Sequence, residues 1–179
     1  MNKTSRFETI VMPHLDSAFN LARWITRNQH DAEDVVQEAM LRAHRFLDSF
    51  RGTDPRPWLL AIVRNAAFTW LEKNRPAEMV EYDESTHSAD EAERSHSPYS
   101  EQNPEIIMLN SATTRLVNQA LEQLPVAYRE VVVMRELEDL SYKEIATIAG
   151  IPIGTVMSRL ARGRELLRTC LEVRMRKAS

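Results

Sequence analysis

Residues 77–110 constrain the architecture of this chain more than any other feature. They hold nine acidic side chains against one basic, a local charge of −8, and from Ala77 to Pro104 serine, proline and acid stand where an apolar period would be. Such a segment buries too little apolar surface to offset the entropy of ordering it, and an uninterrupted structureless loop of this length does not belong inside one compact domain. The block reads as a flexible acidic linker, or as a solvated spacer with no role of its own. It separates an N-terminal domain, 1–76, from a C-terminal domain, 111–179. Four glycines in 179 residues exclude a turn-rich β protein and a glycine-loop nucleotide fold. The expected fold class is all-α, two small helical domains on either side of the linker.

The net charge of −3 conceals a division. Residues 1–76 carry +2 and residues 111–179 carry +3, and from Pro152 onward seven basic side chains face two acidic ones. The C-terminus therefore concentrates positive potential in a slightly acidic chain. One cysteine, Cys170, closes no intrachain disulfide and builds no Cys-rich zinc site. No apolar run approaches the roughly 20 residues of a membrane span, and the N-terminus lacks the apolar core of a signal peptide. A cytoplasmic protein without membrane insertion is expected. Glycine-rich phosphate loops and paired-histidine spacings are absent, and His14, His30, His44, His87 and His96 are scattered, so no catalytic residue, metal or cofactor is expected. Asp31, Glu33 and Asp34 read as acids complementing a helix start rather than as metal ligands.

In the N-terminal block, Phe7, Val11, Leu15, Ala18, Ala22 and Ile25 recur at helical spacing, with Pro13 starting or kinking that helix. A second helix is predicted from Asp31 as N-cap, with Val36, Met40, Ala43, Leu47 and Phe50 as its buried stripe. Asp34, Gln37, Glu38, Leu41 and Arg45 then share another face. A polar strip containing one leucine suits docking of another protein, and equally a solvated face with helix-pair salt links. Gly52, Pro55 and Pro57 predict a loop from Phe50 to Trp58, followed by a third helix from Trp58 to about Asn74. Phe46, Phe50, Trp58, Phe68 and Trp70 lie around this loop with Arg51, Arg56, Arg64 and Asn65. Rings interleaved with arginines and an amide suit unpaired nucleic acid, where bases stack and phosphates are neutralised. Core packing is the competing reading, above all for Phe46, Phe68 and one of the tryptophans.

In the C-terminal block, Leu124-Pro125 opens a helix predicted to continue through Tyr128, Val131, Val132 and Arg135 to Leu140. Ser141-Tyr-Lys-Glu144 has the form of a capping box. Ala146, Gly150 and Val156 have helix-turn-helix spacing: a small residue at a close crossing, a glycine for the left-handed turn, a β-branched residue packing the second helix back. Pro152 begins that second helix, with Val156, Leu160 and Leu167 inward. Thr155, Ser158, Arg159, Arg162 and Arg164 lie elsewhere on its surface, where arginine can fork onto guanine and hydroxyls can hold phosphate. The competing reading is a solvated basic helix.

The runs Asp31-Ala-Glu-Asp-Val-Val-Gln-Glu-Ala-Met-Leu-Arg-Ala-His-Arg-Phe, Trp58-Leu-Leu-Ala-Ile-Val-Arg-Asn, Leu140-Ser-Tyr-Lys-Glu-Ile-Ala and Gly154-Thr-Val-Met-Ser-Arg-Leu-Ala-Arg-Gly-Arg together resemble the extracytoplasmic-function class of bacterial sigma factors. The resemblance covers both helical blocks. It implies a dissociable subunit that recruits RNA polymerase core, through the β′ clamp and the β subunit, to promoter DNA and helps to open it. Asp34, Gln37, Glu38 and Arg45 would face the β′ clamp. Phe46, Phe50, Ile62 and Asn65 match positions around a base flipped from the melted minus-10 strand. Ser158 and Arg162 match readers of the minus-35 element, with Arg159 and Arg164 nearer phosphates and Thr155 counted among the minus-35 DNA-binding residues. Met157 and Ala161 depart from the larger side chains frequent in the family, and the Gly52–Trp58 loop is short for it. The resemblance also implies control by an anti-sigma factor, and places the acidic linker near the polymerase cleft and RNA exit path. A stand-alone helix-turn-helix regulator is the alternative function.

Overall fold

The computed structural model describes residues 2–80 and 112–179, and all regular structure among them is helical. The N-terminal half begins with α1 (Lys3–Val11), capped by Asn2, whose Oδ1 accepts from the Ser5 amide at 2.8 Å. The single amphipathic helix expected from Phe7 to Ile25 is two helices. Pro13, which brings no N–H to an α-ladder, sits in a 3-10 turn, Met12–His14, before α2 (Leu15–Thr26). α2 ends at Arg27, in left-handed conformation with φ 57°.

α3 (Gln29–Phe46) starts three residues earlier than expected. Asn28, not Asp31, is the N-cap, accepting from the Asp31 amide at 3.1 Å. Asp31 stands in the first turn, where the positive end of the helix dipole favours acid. The buried stripe is shifted accordingly: Ala32, Val35, Val36, Ala39, Ala43 and Leu47 are buried, while Met40 and Phe50 are only partly so. α4 (Pro55–Asn74) also begins early. Asp54 caps it and Pro55 occupies its first turn, so the prolines read as part of the loop start the helix instead. α5 (Pro76–Val80) extends helix into the first residues of the predicted linker. There Glu78 is well buried and pairs with Arg27 at 2.7 Å and Arg75 at 3.2 Å, so it is no part of a solvated acidic run. The rest of that linker lies outside the described residues.

The C-terminal half is α6 (Ala112–Gln123), α7 (Val126–Glu136), α8 (Tyr142–Ala149) and α9 (Ile153–Ala178). α7 stops at Glu136 rather than Leu140. The turn passes through Asp139 at φ 50°, and is closed by Leu140 N–H to the Met134 carbonyl at 3.0 Å and Arg135 Nη1 to the Leu140 carbonyl at 2.9 Å. It contains no glycine or proline, so nothing in composition marks it. The Ser141/Glu144 capping box forms in both directions, at 3.1 and 2.7 Å, and Gly150 ends α8 at φ 68°.

The two halves are packed together. α7 lies against α2 and α8 against α4, and one hydrophobic cluster runs from Val11 through Leu21, Leu60 and Leu71 to Met134, Ile145 and Leu160. The seam includes charge. Arg129, 2% exposed, donates to the carbonyls of Trp24 (2.7 Å) and Ile25 (3.1 Å) in α2, and of Glu122 (3.3 Å) and Leu124 (2.6 Å) at the end of α6. One guanidinium thus satisfies carbonyls at the C-terminal ends of two helices, one from each half.

Candidate protein- and nucleic-acid-binding surfaces

The outer face of α3 carries the strip read from the sequence. Asp34, Gln37, Glu38, Leu41 and Arg45 are all exposed, with Leu41 at 66%. They stand opposite buried Val35, Ala39 and Ala43 because apolar residues at three- and four-residue spacing claim the inner face. Glu38 accepts from Arg42 Nε at 2.9 Å, one turn away. The strip is thus open to solvent along its length, with one leucine framed by acids and an arginine.

Phe46 ends α3 at 52% exposure, so it belongs to the surface and not, as core packing would have it, to the interior. Phe68 and Trp70 pack partly buried against the core. Phe50 leans on Trp58, ring centroids 5.1 Å apart and planes tilted by 41°. Gly52 lies under that ring, where a Cβ would be 3.0 Å from Phe50 Cε2. A cleft of about 420 Å³ opens beside the loop, lined by Arg6, Ile10, Phe50, Arg51 and Thr53. Ile62 and Asn65 are one turn apart on α4, the first half-buried against the core and the second exposed. Of the four minus-10 candidates, only Phe50 lines the cleft. The arginines divide. Arg51 stays at the loop, but Arg56 and Arg64 point into the other half of the molecule: Arg56 Nη2 meets Glu138 Oε2 at 2.7 Å, and Arg64 forks onto Glu130 at 2.9 and 3.0 Å while stacking on Phe68.

In α9, Val156 and Leu160 are buried and Leu167 is partly so. Thr155, Ser158 and Arg162 share the face turned away from them, at three-, four- and seven-residue intervals. Ser158 is exposed, its Oγ donating to the Thr155 carbonyl at 3.1 Å, and Arg162 pairs with Glu165 at 2.8 Å. Arg159 and Arg164 flank this face on opposite sides. Arg164 meets Glu136 of α7 at 2.7 Å, and that hydrogen bond raises its pKa further. Arg159 is partly buried and its charge acts on Glu130.

Sequence reasoning missed the groups that join the halves. Glu130 is fully buried; desolvation pushes its carboxyl above the usual range against the pull of Arg64, Arg159 and Arg129. Burial, reinforced by the charge of Arg27, brings the Arg129 guanidinium down to about 9, which leaves it charged at neutral pH. Glu138 accepts from Asn20 Nδ2 at 2.5 Å as well as from Arg56. A charged residue inside the run Val126–Met134 was the available signal, since an unpaired charge there is too costly to keep.

Residues 10–76 match the family Sigma-70 region 2, and residues 114–167 match Sigma-70, region 4. The chain is similar to the RNA polymerase sigma-H factor of Pseudomonas aeruginosa, 33% identical over 175 residues, covering 96% of this chain and 89% of that protein. It is also similar to the ECF RNA polymerase sigma-E factor of Escherichia coli K12, 37% identical over 166 residues and covering 84% of each. Among solved structures it resembles the sigma factor RpoE from Bartonella quintana, crystallised with the anti-sigma factor NepR, with TM-score 0.69 and 26% identity, covering 93% of this chain and 97% of that one. Region 2 thus holds the strip on α3 and region 4 the helix-turn-helix, and with relatives of this identity along most of its length the chain belongs to the extracytoplasmic-function RNA polymerase sigma factors.

Proposed function

We propose that the protein is an alternative sigma factor whose α3 strip docks on core RNA polymerase, whose α3–α4 junction holds the melted minus-10 strand, and whose α9 reads the minus-35 element. The observation that carries this reading is that Asp34, Gln37, Glu38, Leu41 and Arg45 remain exposed together on a helix whose other face is packed in the core. The domain limits are 1–76 for docking and melting, prolonged by α5, and 111–179 for minus-35 recognition, with the acidic residues beyond α5 as tether. Asn65 and Phe46, both exposed, would meet an extruded base, together with Phe50 and Ile62, and that exposure supports this reading. Ser158 and Arg162 supply base contacts, while Thr155, Arg159 and Arg164 serve phosphates. RNA synthesis itself stays with the polymerase, and the site of action is the bacterial cytoplasm. No helix among the described residues is long and apolar enough to cross a membrane. The complex of the Bartonella relative with its anti-sigma factor supports an anti-sigma partner here too.

The test is co-purification with RNA polymerase core, wild type beside a variant with Asp34 and Glu38 reversed to Lys. Wild-type association that the variant loses is the expected result. Absence of association by either form at low salt overturns the reading.

A further inference from the structure

Glu130 occupies an unusual position. It is buried on α7 of the C-terminal half, yet its two oxygens are taken by Arg64 of the N-terminal half, at 2.9 and 3.0 Å. Arg64 directly precedes Asn65, on the helix proposed to meet the minus-10 strand. The same carboxylate feels the charge of Arg159, on the helix proposed to enter the major groove. One carboxylate of the C-terminal half therefore occupies the guanidinium beside the proposed minus-10 surface of the other half. A carboxylate forked by arginine has the donor geometry of a phosphate forked by arginine.

We propose that Glu130 is an internal competitor for nucleic-acid phosphate: in the closed chain it holds Arg64, and the two halves must part before this arginine reaches DNA. The clasp rests on the proposed function for the identity of the DNA surfaces, though not for its own existence. Its remaining contacts lie off those surfaces. Glu138 joins Arg56 and Asn20 across the same seam, and Arg129 reaches the end of α2. Opening exposes Arg64 for a phosphate next to the base proposed to be held by Asn65. Phosphate contacts of this kind carry no sequence information but set affinity and its salt dependence.

The experiment uses the full chain in three variants, Glu130→Gln, Glu138→Ala and Arg64→Ala, each checked for helicity by circular dichroism. Small-angle X-ray scattering reads closure, and binding to a short DNA duplex of arbitrary sequence reads the competition, without polymerase or promoter. Glu138→Ala cuts the seam while leaving every proposed DNA-facing residue in place, so it serves where Glu130→Gln fails to fold. The expected result is a larger radius of gyration for all three. Duplex binding rises at least about fivefold for Glu130→Gln and Glu138→Ala. For Arg64→Ala it rises less, with a salt slope lower by about one contact than that of Glu138→Ala. Variants that stay as compact as wild type overturn the clasp, and variants that open without gaining duplex affinity overturn the competition. Failure of the polymerase co-purification leaves both readouts standing, so the two proposals fall separately.

Discussion

Two glycines of α9 sit in different physical situations, and substitution separates them. At Gly163 an added Cβ would lie 2.7 Å from Cγ2 of Val132, a core side chain 1% exposed, where α9 crosses α7. At Gly154 nothing lies within 4 Å. Both are helical, so alanine lowers the backbone entropy cost equally, by about 0.8–1 kcal/mol. Gly154→Ala is therefore expected to stabilise the chain by up to that amount, while Gly163→Ala loses it to overpacking, with a net cost of about 1–2 kcal/mol. Urea midpoints of the two variants check the sign. The close crossing was assigned to Ala146 by the helix-turn-helix spacing, which does indeed pack partly buried. Gly163 is invisible to that spacing, because its neighbour Val132 is far away along the chain.

At the scale of elements, each helix has its own signals and most were legible. The Ser141/Glu144 box, the left-handed Gly150 and the acids early in α3 are local features, and local features survive into the fold. The errors were also local in cause. Asn28 outcompeted Asp31 as a cap because both are good acceptors three residues apart, and Asp139 took a left-handed turn without a glycine to announce it. The proposed function divides along the same elements. Arg162, on the exposed face of α9, is expected to relax minus-35 specificity on mutation to alanine, at about 1–3 kcal/mol for one bidentate base contact. Asn65→Ala on α4 is expected to leave closed-complex binding nearly intact and to reduce the open fraction. Mobility-shift titration against permanganate reactivity of unpaired thymines measures the two effects. Equal losses of closed-complex affinity would refute this division of labour.

For the whole molecule, the seam between the halves dominates. Arg129 alone supplies donors to four carbonyls drawn from α2, α6 and the turn after it. Arg129→Met takes this donor from the Trp24, Ile25 and Leu124 carbonyls, while the Glu122 carbonyl keeps Arg27 Nη1 at 3.0 Å, a loss of about 3–5 kcal/mol by the usual cost of stranded polar groups. Its thermal transition is expected to fall and to split into two, as regions 2 and 4 lose their shared core and melt separately. Calorimetry reads this directly, and a single unshifted transition would show that the seam contributes nothing to stability.

By itself the sequence determined the class of fold, the family, the exposed strip on α3 and the outward face of α9. Each of these depends on periodicity, caps and short motifs, whose physics is contained within a few turns of chain. Only the tertiary structure decided that Arg56 and Arg64 turn away from the aromatic loop, that Phe46 stays at the surface, and that the two halves share one core. Those outcomes depend on which acid meets which arginine across a seam of residues far apart in sequence. A charge's partner is set by where two helices cross, which no local pattern records.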